Sequence, residues 1–277
     1  MSTTTGKAGV RNLFGVPVHA LTMDQAMQKV EEAIAQNEQL QIGVVNAAKI
    51  VNMHRDETLR QDVVSSDLIL ADGMSVVWAS HLLGQPLPER VTGIDLMLRM
   101  LRHGNKFRYR IYCLGATDDV LEKVTRKIAE DYPNVNIVGK RNGYFTAEEE
   151  ADVAADIKAS RPDILLVAIT SPKKEQFLAR WSDELAVPIC HGVGGSFDVL
   201  AGKVDRAPEV WQRLGLEWLY RVKQEPCRLW KRYLVTNLLF CGMVARGMLR
   251  RLTGGAKRTS AGEEATRAVN EASRPSL

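Results

Sequence analysis

The sequence predicts an α/β protein that has a mostly parallel sheet, helices on both faces of it, and a C-terminal helical appendage. Apolar runs of strand length alternate with stretches of helical spacing between residues 14 and 191, which is the pattern of βαβ units. The run Leu68–Ala71 is apolar throughout, as suits a strand buried on both faces. From Pro208 the pattern turns helical and rich in Trp, Leu and Arg. The predicted core is therefore Rossmann-like.

The elements follow from hydrophobic periodicity and from capping residues. The predicted strands are residues 14–18, 41–45, Leu68–Ala71, 110–114, 136–139, 163–169 and 187–191. The predicted helices are residues 22–36, 50–54, 75–83, 92–101, 118–132, 146–160, 172–181, 210–220 and 227–252, and residues 58–64 either continue the second of these or form a helix after it. Thr22 is placed to open the first helix, and Thr146 with Glu149 has the spacing of a capping box. Pro226 separates the last two helices.

These elements predict four segments. Residues 1–11 form a disordered N-terminus, and residues 12–215 form the core from two βαβ-type halves that meet near residue 108. Residues 216–252 form a helical, membrane-associating appendage, and the Gly-, Ser-, Ala- and Glu-rich residues 253–277 form a disordered tail.

The net charge is +4, and it is distributed unevenly along the chain. Residues 1–220 hold 25 basic and 29 acidic side chains, whereas residues 221–277 hold 12 and 4. A near-neutral body with a basic end indicates that the end meets an anionic partner: phosphate groups, lipid headgroups or nucleic acid.

Cysteine spacing and the N-terminal composition exclude several classes of protein. The four cysteines are far apart and form no C-x-x-C pair, so neither a zinc knuckle nor a disulfide framework is predicted. Cys113 and Cys190 lie in apolar runs and are expected to be buried. The first nine residues contain no apolar segment typical of a signal peptide, which favours a cytoplasmic protein.

Asp72 and Gly73 follow the apolar run Leu68–Ala71 directly. The turn after a strand is where open α/β sheets bind ligands, and a carboxylate there is costly unless it is paired, hydrated or functional. On local sequence alone, a helix N-cap is the simpler interpretation of Asp72.

A glycine-rich turn, residues 192–195, follows the last predicted strand. Successive N–H groups in such a turn can cradle a phosphate. It does not complete the dinucleotide pattern G-x-G-x-x-G, because Phe197 occupies the sixth position. Asp198 can bind a sugar hydroxyl or cap a helix.

The basic C-terminal helices contain arginines suited to phosphate. Arg221, Arg228 and Arg232 can share one helical face if Pro226 only bends the segment. The apolar stretch at residues 233–245 spans about 20 Å as a helix, too short for a bilayer core of about 30 Å. With basic residues at both ends, it suits the membrane interface or a protein partner.

Six motifs in order carry a resemblance to a known family. They are Ala71-Asp72-Gly73, Arg90-Val91-Thr92-Gly93-Ile94-Asp95-Leu96, Ser171-Pro172-Lys173-Lys174-Glu175, Gly192-Val193-Gly194-Gly195-Ser196-Phe197-Asp198, Arg206-Ala207-Pro208 and Glu217-Trp218-Leu219-Tyr220-Arg221. Together they closely resemble the WecG/TagA/CpsF glycosyltransferases, glycosyltransferase family twenty-six. The resemblance covers residues 14–252.

The resemblance implies an inverting, metal-independent transfer of a sugar from a UDP-sugar to a polyprenyl-diphosphate-linked saccharide. It places the enzyme peripherally on the cytoplasmic face of the bacterial inner membrane, in cell-surface polysaccharide synthesis. The implied sugar is of the N-acetylmannosamine or mannosaminuronic acid type, or an exopolysaccharide hexose. The UDP-sugar is a substrate, and no cofactor is implied.

The resemblance also assigns residues. Asp72 is implied as the general base, and Asn46 and Arg90 line its pocket. Arg221, Arg228 and Arg232 reach over it. The further substrate-binding residues that we assign are Tyr144, Lys174, Gly192, Gly194, Gly195, Asp198 and Arg206.

The sequence departs from the family pattern at two places. Many members have Thr-Pro-Asn-Pro after the second strand, where this chain has Val44-Val45-Asn46-Ala47, so the threonine hydroxyl is absent. Many also have glutamine where this chain has Lys174, and a charged side chain there suits an anionic group. Both changes bear on the identity of the sugars.

Two other functions fit parts of the sequence. A dinucleotide-binding oxidoreductase would need the complete early glycine fingerprint, which is missing. A non-enzymatic membrane or nucleic-acid adaptor would use the basic end and leave Asp72 and the glycine turn unexplained. We expect the donor, the lipid-linked acceptor and an anionic membrane as partners, and no nucleic acid. Self-association is left open.

Overall fold

The computed structural model describes residues 9–272, except for the side chains of Arg228 and of residues 254–272. Strands and helices alternate along the core, as the sequence predicts. The strands are β1 (Val10–Leu13), β2 (Val16–His19), β3 (Leu40–Val45), β4 (Leu68–Ala71), β5 (Arg110–Gly115), β6 (Asn136–Arg141), β7 (Ile164–Ala168) and β8 (Ile189–Gly192).

The helices occupy the intervals between the strands and the whole C-terminal part. They are α1 (Met23–Gln36), α2 (Ala47–Met53), α3 (Glu57–Val64), α4 (Met74–Leu82), α5 (Gly93–Phe107), α6 (Asp118–Asp131), α7 (Glu150–Ser160), α8 (Lys173–Leu185), α9 (Ser196–Leu200), α10 (Glu209–Arg213), α11 (Glu217–Gln224) and α12 (Pro226–Ala272).

Six strands form one parallel sheet in the order β4-β3-β8-β7-β5-β6. This confirms the predicted α/β class. Because all six strands run in the same direction, the turns that follow them lie along one edge of the sheet. Asp72 follows the outermost strand β4, Asn46 follows its neighbour β3, and the glycine turn follows β8. The order of the strands therefore brings three predicted site segments together.

The core lies on both faces of this sheet. In β4, Leu68 and Leu70 belong to one apolar cluster, and Ile69 and Ala71 belong to another on the opposite face. This alternation is what a doubly covered parallel strand requires. Cys113 and Cys190 are buried, as predicted.

Helix α12 packs on the core through one of its faces. Phe240 is only 4% exposed, and its ring lies 5.4 Å from that of Phe14 in an edge-on contact. Leu229 is buried as well. The guanidinium of Arg251 donates to the carbonyl of Leu82 at the end of α4, 3.1 Å away. The first half of α12 is thus an integral part of the fold.

The N-terminal prediction needs correction. The predicted strand at residues 14–18 is the second half of an antiparallel hairpin, whose first strand begins at Val10. Phe14 and Gly15 form its turn, with φ values of 56° and 79°. A short polar strand such as residues 10–13 shows little periodicity, which is why the sequence placed Val10 and Arg11 in a disordered segment. Residues 1–8 lie outside the described part of the chain.

Two predictions for helix ends also differ from the structure. The N–H of Thr146 donates to the carboxylate of Glu149 at 2.7 Å, which is half of a capping box, but α7 begins only at Glu150. Helix α12 continues to Ala272, past residue 253, where a disordered tail was predicted. Alanine, glutamate and arginine are good helix formers, and they are frequent in this segment. Residues 273–277 are not described.

Candidate active site

Asp72 is held at the carboxyl end of β4 by the segment that precedes α5. Its backbone N–H donates to the carbonyl of Val45 at 2.9 Å, and its Oδ1 accepts the N–H of Gly93 at 3.0 Å. The N-cap of α4 is Gly73, so Asp72 does not cap that helix. No hydrogen bond from the described residues reaches Oδ2. One carboxylate oxygen is fixed, and the other remains available to a substrate hydroxyl.

The motif at residues 90–96 wraps around this aspartate. The N–H of Val91 donates to the carbonyl of Ala71 at 2.9 Å. Thr92 caps α5, because its hydroxyl oxygen accepts the N–H of Asp95 at 3.1 Å and its hydroxyl donates to the Asp95 carboxylate at 2.6 Å. The motif thus has two structural tasks: it binds the end of β4, and it caps α5.

His191 connects the motif at residues 90–96 to β8. The side chain is fully buried, and its Nε2 donates to the carbonyl of Gly93 at 3.0 Å. Burial lowers the pKa of His191 below its ordinary value. Since Gly93 also donates to Asp72, the neutral imidazole helps to fix the peptide that holds the carboxylate.

Asn46 has a structural task in addition to its predicted role. Its side-chain oxygen caps α2 by accepting the N–H of Lys49 at 3.0 Å. It also lies against Gly73, because a Cβ added there would come 3.4 Å from the Cβ of Asn46. Capping engages the amide oxygen, and the amide N–H₂ can still donate to a substrate in the pocket.

A buried cluster of charges lies beneath the glycine turn. The Nζ atoms of Lys49 and Lys174 lie 2.6 and 3.3 Å from the same Glu175 oxygen, Oε1. Lys174 is only 7% exposed. Burial, and then the charge of Lys49, lower the pKa of Lys174 to about 8 against the opposing effects of Glu175 and Asp72. Burial alone would raise the pKa of Glu175, but the two lysines lower it to about 2.

The position of Lys174 explains why residue 192 is a glycine. A Cβ at Gly192 would lie 2.9 Å from both Cδ and Cε of Lys174, closer than side-chain packing allows. Gly192 is thus needed to make room for a buried lysine. Lys174, which was predicted to meet an anionic group of the substrate, is paired with Glu175 in the structure.

The glycine turn does not form the predicted cradle of N–H groups. The N–H groups of Val193 and Gly194 donate to the carbonyl of Val167, and that of Ser196 donates to the carbonyl of Val193. The sequence could not indicate this, because Val167 belongs to a neighbouring strand. Gly194 has a φ of 53°, and nothing lies within 4 Å of the position of a Cβ. The turn therefore leaves space for a ligand, but the N–H groups of Val193 and Gly194 are already bonded.

Arg221 reaches the glycine turn from α11. A Cβ on Gly195 would lie 3.6 Å from the Arg221 guanidinium. Helix α11 is fixed in this position by Gln224, whose side chain exchanges two hydrogen bonds of 3.0 Å with the backbone of Asp205. A cation thus lies beside the glycine turn and can offset the negative charge of a phosphate.

An open cavity of about 540 Å³ lies between the start of α4 and α10. Its charged lining residues are Arg90, Asp95, Arg206, Glu209 and Arg213. Arg90 donates to Glu217 at 3.0 Å, Arg206 pairs with Asp95, and Arg213 pairs with Glu209 at 3.3 Å.

The charges in this cavity affect one another. Burial alone would raise the pKa of Asp95, but hydrogen bonds from Thr92 and Arg206 and the charges of Arg206 and Arg90 lower it overall. The Nε atom of Arg206 is buried and has no hydrogen-bond partner among the described residues. The cavity therefore keeps ionised groups of both signs at its wall.

In the described part of the chain, Tyr144, Asp198 and Arg232 form no hydrogen bond or ion pair with Asp72. Tyr144 is 77% exposed in the loop after β6. This loop folds back over the neighbouring strands, because the N–H of Gly143 donates to the carbonyl of Ala116 at 3.0 Å and the ammonium of Lys173 donates to the carbonyl of Phe145. Asp198 pairs with Lys203 at 3.4 Å. Arg232 is exposed, and its guanidinium lies 5.2 Å from the ring of Tyr233. The Arg228 side chain is not described.

Pro226 explains part of this outcome. It begins α12 as a new helix after α11 has ended at Gln224, instead of bending one continuous helix. The three arginines therefore do not share one helical face. In the described part of the chain, no group of three or more His, Cys, Asp or Glu side chains could hold a metal ion.

Comparison with known proteins agrees with the motifs. The model of the glycosyl transferase WecG/TagA/CpsF family matches residues 11–254. The chain belongs to this family, as the resemblance predicted.

Curated relatives carry the description N-acetylglucosaminyldiphosphoundecaprenol N-acetyl-beta-D-mannosaminyltransferase. One from Bacillus subtilis (strain 168) is 40% identical over 170 residues, which cover 61% of this chain and 65% of the relative. One from Staphylococcus aureus (strain MW2) is 32% identical over 223 residues, which cover 80% of this chain and 85% of the relative. The chain matches about 65% of the length of the Bacillus relatives.

The sequence assigned no role at the site to Lys49, Asp95 or Arg213. The Thr92-x-x-Asp95 spacing placed Asp95 in the first turn of the predicted helix at residues 92–101, but it gave no indication of the ion pair with Arg206. Arg213 lies in the helical segment after Arg206-Ala207-Pro208, but a short amphipathic helix gives no indication of what its polar side faces. Lys49 carries no signal, because lysines on a helix are ordinarily exposed.

Proposed function

We propose that this protein transfers an N-acetylmannosaminyl group, with inversion, from a UDP-sugar to an N-acetylglucosaminyl group linked to a polyprenyl diphosphate. The observation that carries the proposal is the match to mannosaminyltransferases over 80% of the chain, in the family to which the chain belongs. The arrangement at this edge of the sheet supports it, because it supplies a fixed carboxylate, Arg221 at the glycine turn and a separate cavity lined by three arginines.

The proposed reaction uses Asp72 as the general base. Its Oδ2 takes the proton of the acceptor hydroxyl while that oxygen attacks the anomeric carbon of the donor. The bond from the anomeric carbon to the UDP oxygen breaks, and UDP leaves with the electron pair. Attack on the face opposite the leaving group inverts the configuration. The hydrogen bond from Gly93 to Oδ1 fixes the orientation of the carboxylate during this step.

Arg221 is proposed to stabilise the leaving diphosphate. Its guanidinium lies over Gly195, where the backbone leaves room for a ligand. A cation placed where charge develops lowers the barrier, since it is already oriented when the reaction begins. In this role Arg221 supplies the positive charge that a divalent metal provides in other transferases.

The C-terminal helix is proposed to hold the enzyme on the cytoplasmic face of the inner membrane. Among the described residues, no helix is both long and apolar enough to cross a bilayer. Opposite its buried face, α12 carries an exposed apolar stripe, consisting of Trp230, Leu234, Leu238, Leu249 and Leu252. Basic residues flank the stripe, namely Lys231, Arg232, Arg246 and Arg250. This arrangement suits an anionic membrane surface.

The test of the proposed function is transfer by the full-length protein. UDP-N-acetylmannosamine is incubated with a short-chain prenyl-diphospho-N-acetylglucosamine, and the disaccharide product is identified by mass spectrometry. The Asp72→Asn variant is the matched control. Product from the wild-type protein and almost none from the variant is the expected result. Absence of product from the wild-type protein with this pair, or equal yields from both proteins, would contradict the proposal.

A further inference from the structure

The proposed reaction brings together two substrates that each carry a diphosphate. One base must therefore be reached from two anion-binding places. We propose that the cavity lined by Arg90, Arg206 and Arg213 binds the diphosphate of the lipid-linked acceptor, separately from the donor diphosphate at the glycine turn. This inference rests on the proposed function and assigns the acceptor to a place in the fold.

The cavity is close to Asp72 without sharing residues with the glycine turn. Met74, two residues after Asp72, lines it, and so does Asp95 in the first turn of α5, whose Gly93 holds the Asp72 carboxylate. The glycine turn follows β8, two strands from β4, and it lies against Gly93, because a Cβ added at Gly93 would come 3.7 Å from the carbonyl oxygen of Gly192. Both places therefore border the start of α5 that holds the Asp72 carboxylate, as a base that serves donor and acceptor requires.

The charge of the cavity suits a diphosphate that replaces carboxylates. Each of its three arginines is paired with a carboxylate in the structure. Glu217 of α11, in the appendage, holds Arg90, whereas Glu209 pairs with Arg213 within α10. Phosphate oxygens form the same bidentate hydrogen bonds as carboxylates. An entering diphosphate can therefore take over Arg90 and Arg213, and the unpartnered Nε of Arg206 offers a further donor.

The surroundings favour the acceptor over the donor. Helix α10, which contributes Glu209 and Arg213 to the cavity, exposes Val210 and Leu214 by 65% and 55%. Trp78 of α4 is 49% exposed and packs near Gly215. A polyprenyl chain leaving the cavity would meet these apolar side chains at once. A UDP-sugar has no apolar chain that would gain from them.

The test measures binding of farnesyl diphosphate to the full-length protein in saturating UDP. Arg213→Glu is the variant, because the Arg213 side chain is 81% exposed and its replacement leaves the fold intact. Arg126→Glu, an equal change of charge on an exposed position of α6, is the matched control. We expect Arg213→Glu to weaken farnesyl diphosphate binding about tenfold or more, with UDP binding unchanged and the control like the wild type.

Three results would overturn the assignment. The first is displacement of farnesyl diphosphate by UDP, which would mean one shared site. The second is no binding of farnesyl diphosphate to the wild-type protein, and the third is unchanged binding to Arg213→Glu. UDP-sugar turnover on the acceptor is measured separately with the same proteins. Absent turnover would contradict the proposed function, whereas the binding measurements alone decide whether the cavity binds the acceptor diphosphate.

Discussion

The sheet edge around Asp72 and the outer surface of α12 use charge in opposite ways. At the sheet edge, Lys174 and Glu175 are buried and Lys49 is partly buried, and both lysines pair with the same Glu175 oxygen, so their effect depends on their geometry. On α12, Arg246 and Arg250 are exposed beside an apolar stripe, where their effects add and salt screens them. Charged side chains thus give orientation in one region and attraction in the other.

The largest change in transfer rate is expected from Asp72→Asn. The asparagine keeps an oxygen for the Gly93 N–H and loses the basicity, so we expect the transfer rate to fall at least about a hundredfold. Thermal unfolding and UDP binding should stay as in the wild type. Near-normal turnover by this variant would remove Asp72 from the role of base.

Arg221→Ala tests whether a side chain of the appendage acts at the sheet edge. Loss of a cation beside the leaving diphosphate should lower kcat about tenfold to a hundredfold. Lys223→Ala, an exposed cation on the same helix, is the control and should change kcat little. If both variants behave alike, Arg221 contributes only general positive charge.

Leu238→Glu isolates the outer surface of α12. The side chain is 65% exposed, so the change spares the fold, whereas removing the helix would expose the contacts of buried Leu229 and Phe240. A lost apolar contact and a repelled charge should together reduce sedimentation with anionic liposomes about tenfold. Ala35→Glu on α1 adds the same charge at an exposed position remote from α12 and should sediment like the wild type. High salt should reduce sedimentation of both proteins equally. Unchanged sedimentation of Leu238→Glu would contradict docking through this stripe.

Lys174→Gln tests the buried cluster through pH. Folding lowers the pKa of Lys174 to about 8, so above that pH the unfolded chain binds more protons than the folded one, and stability rises with pH up to the unfolded value. The variant should lack roughly 1–3 kcal/mol of this rise between pH 8 and 10. Denaturant unfolding of both proteins across this range measures it. Equal slopes would mean that Lys174 is not desolvated. Lys49, Glu175, Asp72 and His191 face this group and are the same in both proteins.

The smallest effect is expected from metal removal. Because Arg221 and the cavity arginines supply positive charge, turnover should be unchanged in excess EDTA. Loss of activity that magnesium or manganese restores would contradict this prediction.

The sequence predicted the parts of the site that depend on the chain alone. An apolar run followed by Asp72 and Gly73 is enough to place a carboxylate at a strand end, and the family resemblance adds its function. The environment of Lys174 could not be predicted, because lysine is ordinarily exposed and its burial depends on Lys49 from another helix. The glycine turn was predicted to bind phosphate through N–H groups that a neighbouring strand in fact occupies.

Helix α12 faces two surroundings at once, since Phe240 completes the core and Leu238, two residues earlier, faces outward. A membrane that engages the outward stripe would bind the native protein and not the unfolded chain, in which the stripe does not exist. Such a membrane acts as a ligand of the folded state, and its binding free energy adds to the free energy of unfolding. The thermal midpoint of the protein should therefore rise with the concentration of anionic vesicles, which couples its lifetime to its location.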